Sequence, residues 1–319
     1  MGRMHANVYS LLDNASLEAF VDIKEEKRAK YSEEFGKPAY ATIAELLEKH
    51  PDLDAVDICL PTYEHRTATL EVAKAGKHVF CEKPMALTVE EAQEMTSACQ
   101  QANVRLMIGH CIRFWPEYAL LKQLVDDQSL GRLLSLNLTR YGEFPSWSTD
   151  NWLADEGKAG GGVLDMHIHD TDFALFLLGT PKSVNSWGTV DERGASQAFT
   201  TMTFASGAVV HLEGGWNLPT NTPFKMAFRA IFERGAAIMD GCPMTIYEPG
   251  QEPRVPEFAK MEASGGGNIS DLGGYFVELK YFVDKLESGE PFETTTPESS
   301  RESLATVLEE IRQIKAGKA

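Results

Sequence analysis

The chain has 319 residues, with 47 acidic against 30 basic side chains, a net charge of −17 and 43% hydrophobic content. That is enough for two domains with their own cores, and the acidity argues against nucleic acid or anionic membrane as partners, because both repel it. No apolar run approaches the ~20 residues of a bilayer span, and no secretion signal is expected. The five cysteines (Cys59, Cys81, Cys99, Cys111 and Cys242) lie at no CxxC spacing. Neither a zinc site nor a disulfide framework is expected from them, and a cytoplasmic location is.

Taken in order, Met1 to Leu12 reads as a helix, with Met4, Val8, Leu11 and Leu12 on one face. "LEAFVD" (Leu17–Asp22) reads as a strand ending in an acid, and "KEEKRAKYSEEFG" as a charged helix stopped by glycine. "IAELLEKH" is helical and "DAVDICLP" is a strand punctuated by proline. "YEHRTATLEVAKAG" is a helix, and "KHVFCEKP" is a strand running into a loop. "TVEEAQEMTSACQQAN" opens on Thr88 with Glu91 three residues on, a capping-box pattern. "VRLMIGH" is the next strand. Strands alternating with helices imply a parallel sheet wound on both faces.

Beyond about residue 130 the pattern changes to period-two alternation with glycine turns. "LLSLNLTRYGEF", "SVNSWGTVDE", "QAFTTMTFASG", "AVVHLEGGWNL" and "KMAFRAIFERGAAIMD" read as strands of a mostly antiparallel sheet open on one face, with a hairpin around Ser206–Gly207. One helix interrupts it near 162–178, and two more close the chain, near 272–287 and 297–316. The expected fold is α/β: a dinucleotide-binding domain over 1–112 and an α+β domain over 113–319 whose last helices pack back on the first.

Three constellations carry chemistry. Asp22 ends a strand where a dinucleotide fold places an acid on the adenosine ribose, which favours NAD over NADP; a helix-capping surface acid is the equal alternative. In "CEKP", Lys83 stands fixed between an acid and a proline at a strand end, suited to proton transfer; an ordinary Glu–Lys pair reads the same way. In "GKAGGGVLDMHIHDTDFALFLLG", Asp165, His167 and His169 suggest metal ligands on a strand. The helical spacing of the apolar residues instead makes Asp165 and His169 neighbours on one helix face, and a metal triad does not fit. The triple glycine permits close approach of a substrate or a nicotinamide ring.

Together these segments resemble the glucose–fructose oxidoreductase and inositol dehydrogenase (Gfo/Idh/MocA) family. "DICLPTYEHRTATLEVAKAGKHVFCEKP" is similar to its central segment, the glycine turn with D-x-x-x-H to its second signature, and "GGYFVELKYFVDKLESGEPFETTTPESS" to its closing one. The resemblance implies a Rossmann domain, an open sheet that serves as oligomer interface, and hydride transfer between NAD and a secondary alcohol of a sugar or cyclic polyol. It implies His169 as base, Asp165 as its orienting partner, and Lys83 stabilising the alkoxide or sharing the proton relay. Cofactor contacts are expected from Gly2, Met4, Asp22, Ile23, Leu60, Pro61, Thr62, His65, Glu82, Lys83 and Arg113, and substrate contacts from Lys83, Trp152, Asp165 and His169. Trp152 and Trp216 fit core packing equally well, and His110 and His167 are extra polar groups without an assigned role. No metal is expected.

Few arginines aimed at the cleft favour a neutral substrate over a phosphorylated one. The alternatives are an NAD-recycling glycoside hydrolase of the same fold and a non-catalytic nucleotide-binding regulator. By the family pattern "MGRMHANVYS" is the end of a G-x-G-x-x-G turn, with Gly2 its last glycine and His5 the histidine that follows. The preceding strand is absent from this chain, leaving "LEAFVD" and "DAVDICLP" without a shared partner; the expectation is that Met1 is an internal methionine of a longer reading frame, and the rival is a true short form with impaired cofactor binding.

Overall fold

The computed structural model describes residues 1–258 and 273–317. Its first part alternates as expected: α1 (Gly2–Tyr9), β1 (Phe20–Val21), α2 (Glu25–Phe35), β2 (Ala39–Tyr40), α3 (Ile43–Lys49), β3 (Ala55–Ile58), α4 (Thr62–Lys74), β4 (His78–Glu82), α5 (Val89–Gln101) and β5 (Leu106–Gly109). Helix ends follow their local chemistry. Thr42 and Thr88 accept the backbone N–H groups of Glu45 and Glu91 at 3.1 Å, and Gly36 closes α2 in the left-handed conformation.

Every strand pair here is parallel, but the strands form two groups, β1–β2 and β3–β4–β5, with no ladder between β1 and β3. β1 is two residues long, against six in the apolar run, because only β2 offers it a ladder. The short β2 carries too few residues for a period-two signal.

The second part holds α6 (Pro116–Asp127), β6 (Leu133–Glu143), α7 (Glu156–Ala159), a π-helical turn over Val163–His167 that runs into α8 (Ile168–Leu178), then β7 (Ser183–Asp191), β8 (Gly194–Thr203), β9 (Val209–Leu218), β10 (Lys225–Phe232), β11 (Gly235–Met239) and β12 (Thr245–Tyr247). The seven strands run in the order β12-β11-β10-β6-β9-β8-β7, antiparallel except for β6 with β9. The β8–β9 hairpin turns at Gly207, whose φ of 88° suits glycine. "KMAFRAIFERGAAIMD", read as one span, is two strands joined by a turn at Glu233–Arg234.

Two helices end the described chain, α9 (Gly273–Ser288) and α10 (Pro297–Ala316). Leu272, the expected start of the first, lies outside the described residues. Both pack back on the first domain. Tyr275 and Phe282 of α9 meet the rings of His5 and Phe80, and Leu304 and Val307 of α10 share a core with residues such as Ala92 and Met95 of α5. The carboxyl ends of β3, β4 and β5 therefore face α8, and the candidate site forms between them.

Candidate active site

β4 delivers Glu82 and Lys83, the latter joined to Pro84 by a cis peptide. Lys83 Nζ donates to the backbone carbonyl of Asp165 at 2.8 Å and lies 3.4 Å from the Asp165 carboxylate. Two residues that the sequence separates widely thus meet across the two domains. Glu82 is buried; its Oε2 accepts the Lys83 backbone N–H at 3.0 Å, and its Oε1 faces His5 Nε2 at 3.1 Å. Burial pushes the Glu82 carboxyl up, but His5 and Lys83 prevail and hold it below its ordinary value.

His169 is half-buried on the first turn of α8, and its Nδ1 has no hydrogen-bond partner. Burial first, then the positive charges of Lys83 and Arg140, hold it well below the usual histidine value. At neutral pH it is an uncharged imidazole able to accept a proton. Among the described residues Asp165 bonds Lys83, not His169, which corrects the expected Asp165–His169 pair. The Asp165 carbonyl and carboxylate are both turned toward the Lys83 ammonium, which comes from β4.

α8 is held on every side by buried polar links. Asp170 receives Arg140 Nε and Nη2 at 3.1 Å each. Asp172 receives Arg113 Nε at 2.9 Å and Nη2 at 2.5 Å, together with Ser303 Oγ at 2.7 Å. Glu310 of α10 accepts Thr171 Oγ1 at 3.1 Å and stands 3.4 Å from His167 Nε2. Asp170, Asp172, Arg140 and Glu310 were not singled out from sequence. The available signal was acidic residues inside an otherwise apolar helix, where a charge persists only when paired.

These links also correct Arg113, expected to touch cofactor. Its remaining nitrogen, Nη1, donates to the Thr294 carbonyl at 2.5 Å and Ser299 Oγ at 3.1 Å, so all three nitrogens are engaged within the protein. His110, at the end of β5, is buried 3.4 Å from Asp172, with neither ring nitrogen hydrogen-bonded. Burial lowers it to about 4.

The glycine turn is also corrected. A Cβ on Gly161 would stand 2.8 Å from the Ala195 carbonyl, and one on Gly162 would stand 2.5 Å from Trp216 Nε1. On the side where a Cβ would stand, these two glycines admit strand β8 and Trp216. Trp216 is fully buried, and half-buried Trp152 packs against the same small cluster.

The remaining expected cofactor residues spread along the cleft. The first turn of α1, which includes Gly2, carries no acidic residue and no capping side chain, which leaves its N–H groups suited to an anion. Met4 instead lies in the hydrophobic core, a correction that follows from its place on the apolar face of α1. Leu60 is exposed beside Pro61, and buried Thr62 begins α4, which has no capping side chain either. His65 Nε2 stands 2.8 Å from the Leu60 carbonyl and Nδ1 2.9 Å from the Pro84 carbonyl, so the ring lies between the two cleft loops and donates to one of them. Asp22 accepts the Lys24 N–H at 2.8 Å and lies 3.8 Å from Lys27 Nζ, the turn-capping geometry of the alternative reading. Its neighbour Ile23 is exposed. The uncapped first turns of α1 and α4 fit a dinucleotide laid across the strand ends.

Residues 1–110 match the oxidoreductase family with an NAD-binding Rossmann fold (Gfo/Idh/MocA), and residues 118–238 match a C-terminal domain of that family. Myo-inositol 2-dehydrogenase of Thermotoga maritima is 34% identical over 181 residues, 56% of this chain and 52% of that protein. The 1,5-anhydro-D-fructose reductase of Ensifer adhaerens is 35% identical over 154 residues, 48% of this chain and 46% of that protein. The chain thus spans about half the length of the curated relatives it matches. An oxidoreductase from Agrobacterium radiobacter, solved with NAD+, L-tartaric acid and magnesium, superposes with a TM-score of 0.87 over 99% of this chain and 94% of that one; at 18% identity the likeness is one of fold.

Proposed function

The chain is a member of the Gfo/Idh/MocA oxidoreductase family, and we propose that it moves hydride between NAD and a secondary alcohol of a neutral sugar or cyclic polyol. The observation that carries this reading is the meeting of Lys83 with Asp165 beside an uncharged His169. When bound, the nicotinamide accepts the hydride.

His169, uncharged and with a free Nδ1, takes the hydroxyl proton. Lys83 lies within reach of the same oxygen and stabilises the alkoxide as charge develops. Asp165 positions the Lys83 ammonium through its carbonyl and its carboxylate. α8 is pinned by Arg140, Arg113 and Glu310, so the imidazole is held in place before substrate arrives.

A polyol-type substrate is supported by the relatives named for inositol and anhydrofructose, and a neutral one by the engagement of the Arg113 and Arg140 guanidiniums with carboxylates, which occupies both. Asp22 at the end of β1 supports NAD over NADP. A homo-oligomer through the outer face of the large sheet is supported by Trp187 and its register partner Phe199, both exposed there. The free cysteines support a reducing compartment such as the cytoplasm. The test is NADH formation across polyols, aldoses and sugar phosphates; turnover confined to phosphorylated or carboxylated sugars would overturn the neutral-substrate reading.

A further inference from the structure

A second cluster of reactive side chains lies apart from Lys83 and His169, where α1 crosses the end of β3. His5 Nδ1 stands 2.8 Å from Asp57 Oδ2, and Cys59 Sγ stands 3.3 Å from both His5 Nδ1 and Asp57 Oδ1. The three atoms lie within 4.8 Å of one another. From this geometry we propose a binding site for a single thiophilic divalent cation of the zinc class, ligated by His5, Asp57 and Cys59.

The ligand set selects the ion. One thiolate and one carboxylate neutralise a divalent charge, and the imidazole ligates uncharged. Thiolate with imidazole favours zinc or cobalt over magnesium or calcium. Zinc bonds of about 2.0–2.3 Å set ligand atoms about 3.3–3.8 Å apart in a tetrahedron. The Cys59 Sγ–His5 Nδ1 edge already meets that spacing at 3.3 Å, and the Asp57 carboxylate, which presents Oδ1 to the sulfur and Oδ2 to the imidazole, turns to offer the ion one oxygen. Asp57 and Cys59 are partly exposed, which gives an entry path and leaves the fourth position to water.

The surroundings resemble an outer coordination shell. Glu82 Oε1 faces the far nitrogen of the His5 ring at 3.1 Å, the carboxylate–histidine arrangement that orients metal-binding imidazoles. Tyr9 donates to Asp57 Oδ2 at 2.9 Å and fixes that carboxylate. Buried Glu278 leaves both oxygens without a partner. Binding breaks the Cys59 S–H bond and frees the proton to solvent; the His5 Nδ1 lone pair then ligates, with any proton there also released. Cysteine spacing alone did not reveal the site because its ligands come from two elements, 52 and 54 positions apart.

The test is cobalt titration of the chelator-treated, full-length chain, followed by zinc competition. The expected result is one Co2+ per chain, with tetrahedral visible bands and a thiolate-to-cobalt charge-transfer band that zinc abolishes. Cys59→Ser should lose that band, and Glu82→Gln should weaken affinity about 10- to 100-fold. Cys242→Ser, at an exposed thiol remote in sequence, should bind as the parent does. No band with the parent chain, or a band that Cys59→Ser retains, overturns the proposal and leaves the trio a hydrogen-bonded network.

Discussion

Lys83 Nζ donates to the Asp165 backbone carbonyl at 2.8 Å, so the ammonium from β4 is aimed by the turn that leads into α8. A neutral side chain cannot supply that charge to a developing alkoxide. Lys83→Met should lower kcat about 10²- to 10³-fold, with NAD affinity within a few-fold of the parent. Steady-state kinetics with a cofactor titration check this, and an unchanged kcat removes Lys83 from the chemistry.

Arg113 and Asp172 should behave as a structural pair. Both are buried and bonded through two nitrogens, so removing one partner strands the other charge. Asp172→Asn is expected to destabilise the protein by about 3–5 kcal/mol in urea unfolding. A loss under about 1 kcal/mol, or a large change in NAD affinity with stability intact, would return Arg113 to the cofactor site.

Acid should unfold the protein partly through His110. Its folded value is about 4 against an ordinary 6.5; burial comes first, Arg113 and Lys83 add to it, and Asp172 and Glu82 oppose. Between those values the unfolded chain binds more protons than the native state. This contribution is therefore complete above pH 6.5 and declines as pH falls toward 4, by at most about 1.4 kcal/mol per pH unit. His65, also lowered by burial, acts in the same direction. Urea midpoints from about pH 7.5 to about pH 5 should fall less steeply for His110→Gln than for the parent; equal slopes contradict the assignment.

Gly162→Ala tests the corrected reading of the glycine turn. The new Cβ would lie 2.5 Å from Trp216 Nε1 and 2.8 Å from the Ser196 carbonyl. Overpacking of this kind costs about 1–3 kcal/mol. Thermal unfolding should report that loss, with a change in tryptophan fluorescence; an unperturbed protein would mean the turn is not packed against β8.

Periodicity made the alternation of β3, α4, β4, α5 and β5 legible, because each run is long enough to show its period. It also exposed the strands of the large sheet, which alternate buried and open faces. Lys83 and His169 stand out in their local patterns, but each also reads as an ordinary polar residue, and only the family resemblance joins them in one site. Spacing along one helix suggests the Asp165–His169 pairing, but the partner Asp165 takes is Lys83, 82 positions away. Arg113 and Gly162 were assigned to ligands because their partners, Asp172 and Trp216, come from distant segments that only folding brings together.

The most direct measurement is NAD reduction by the parent chain and by His169→Asn across neutral polyols and aldoses, with NAD affinity measured in parallel. The expected result is NADH formation by the parent with at least one neutral polyol or sugar. In His169→Asn, kcat should fall by about 10²- to 10⁴-fold while NAD binding is retained. Parent-level turnover in His169→Asn would contradict the assignment of His169 as the base.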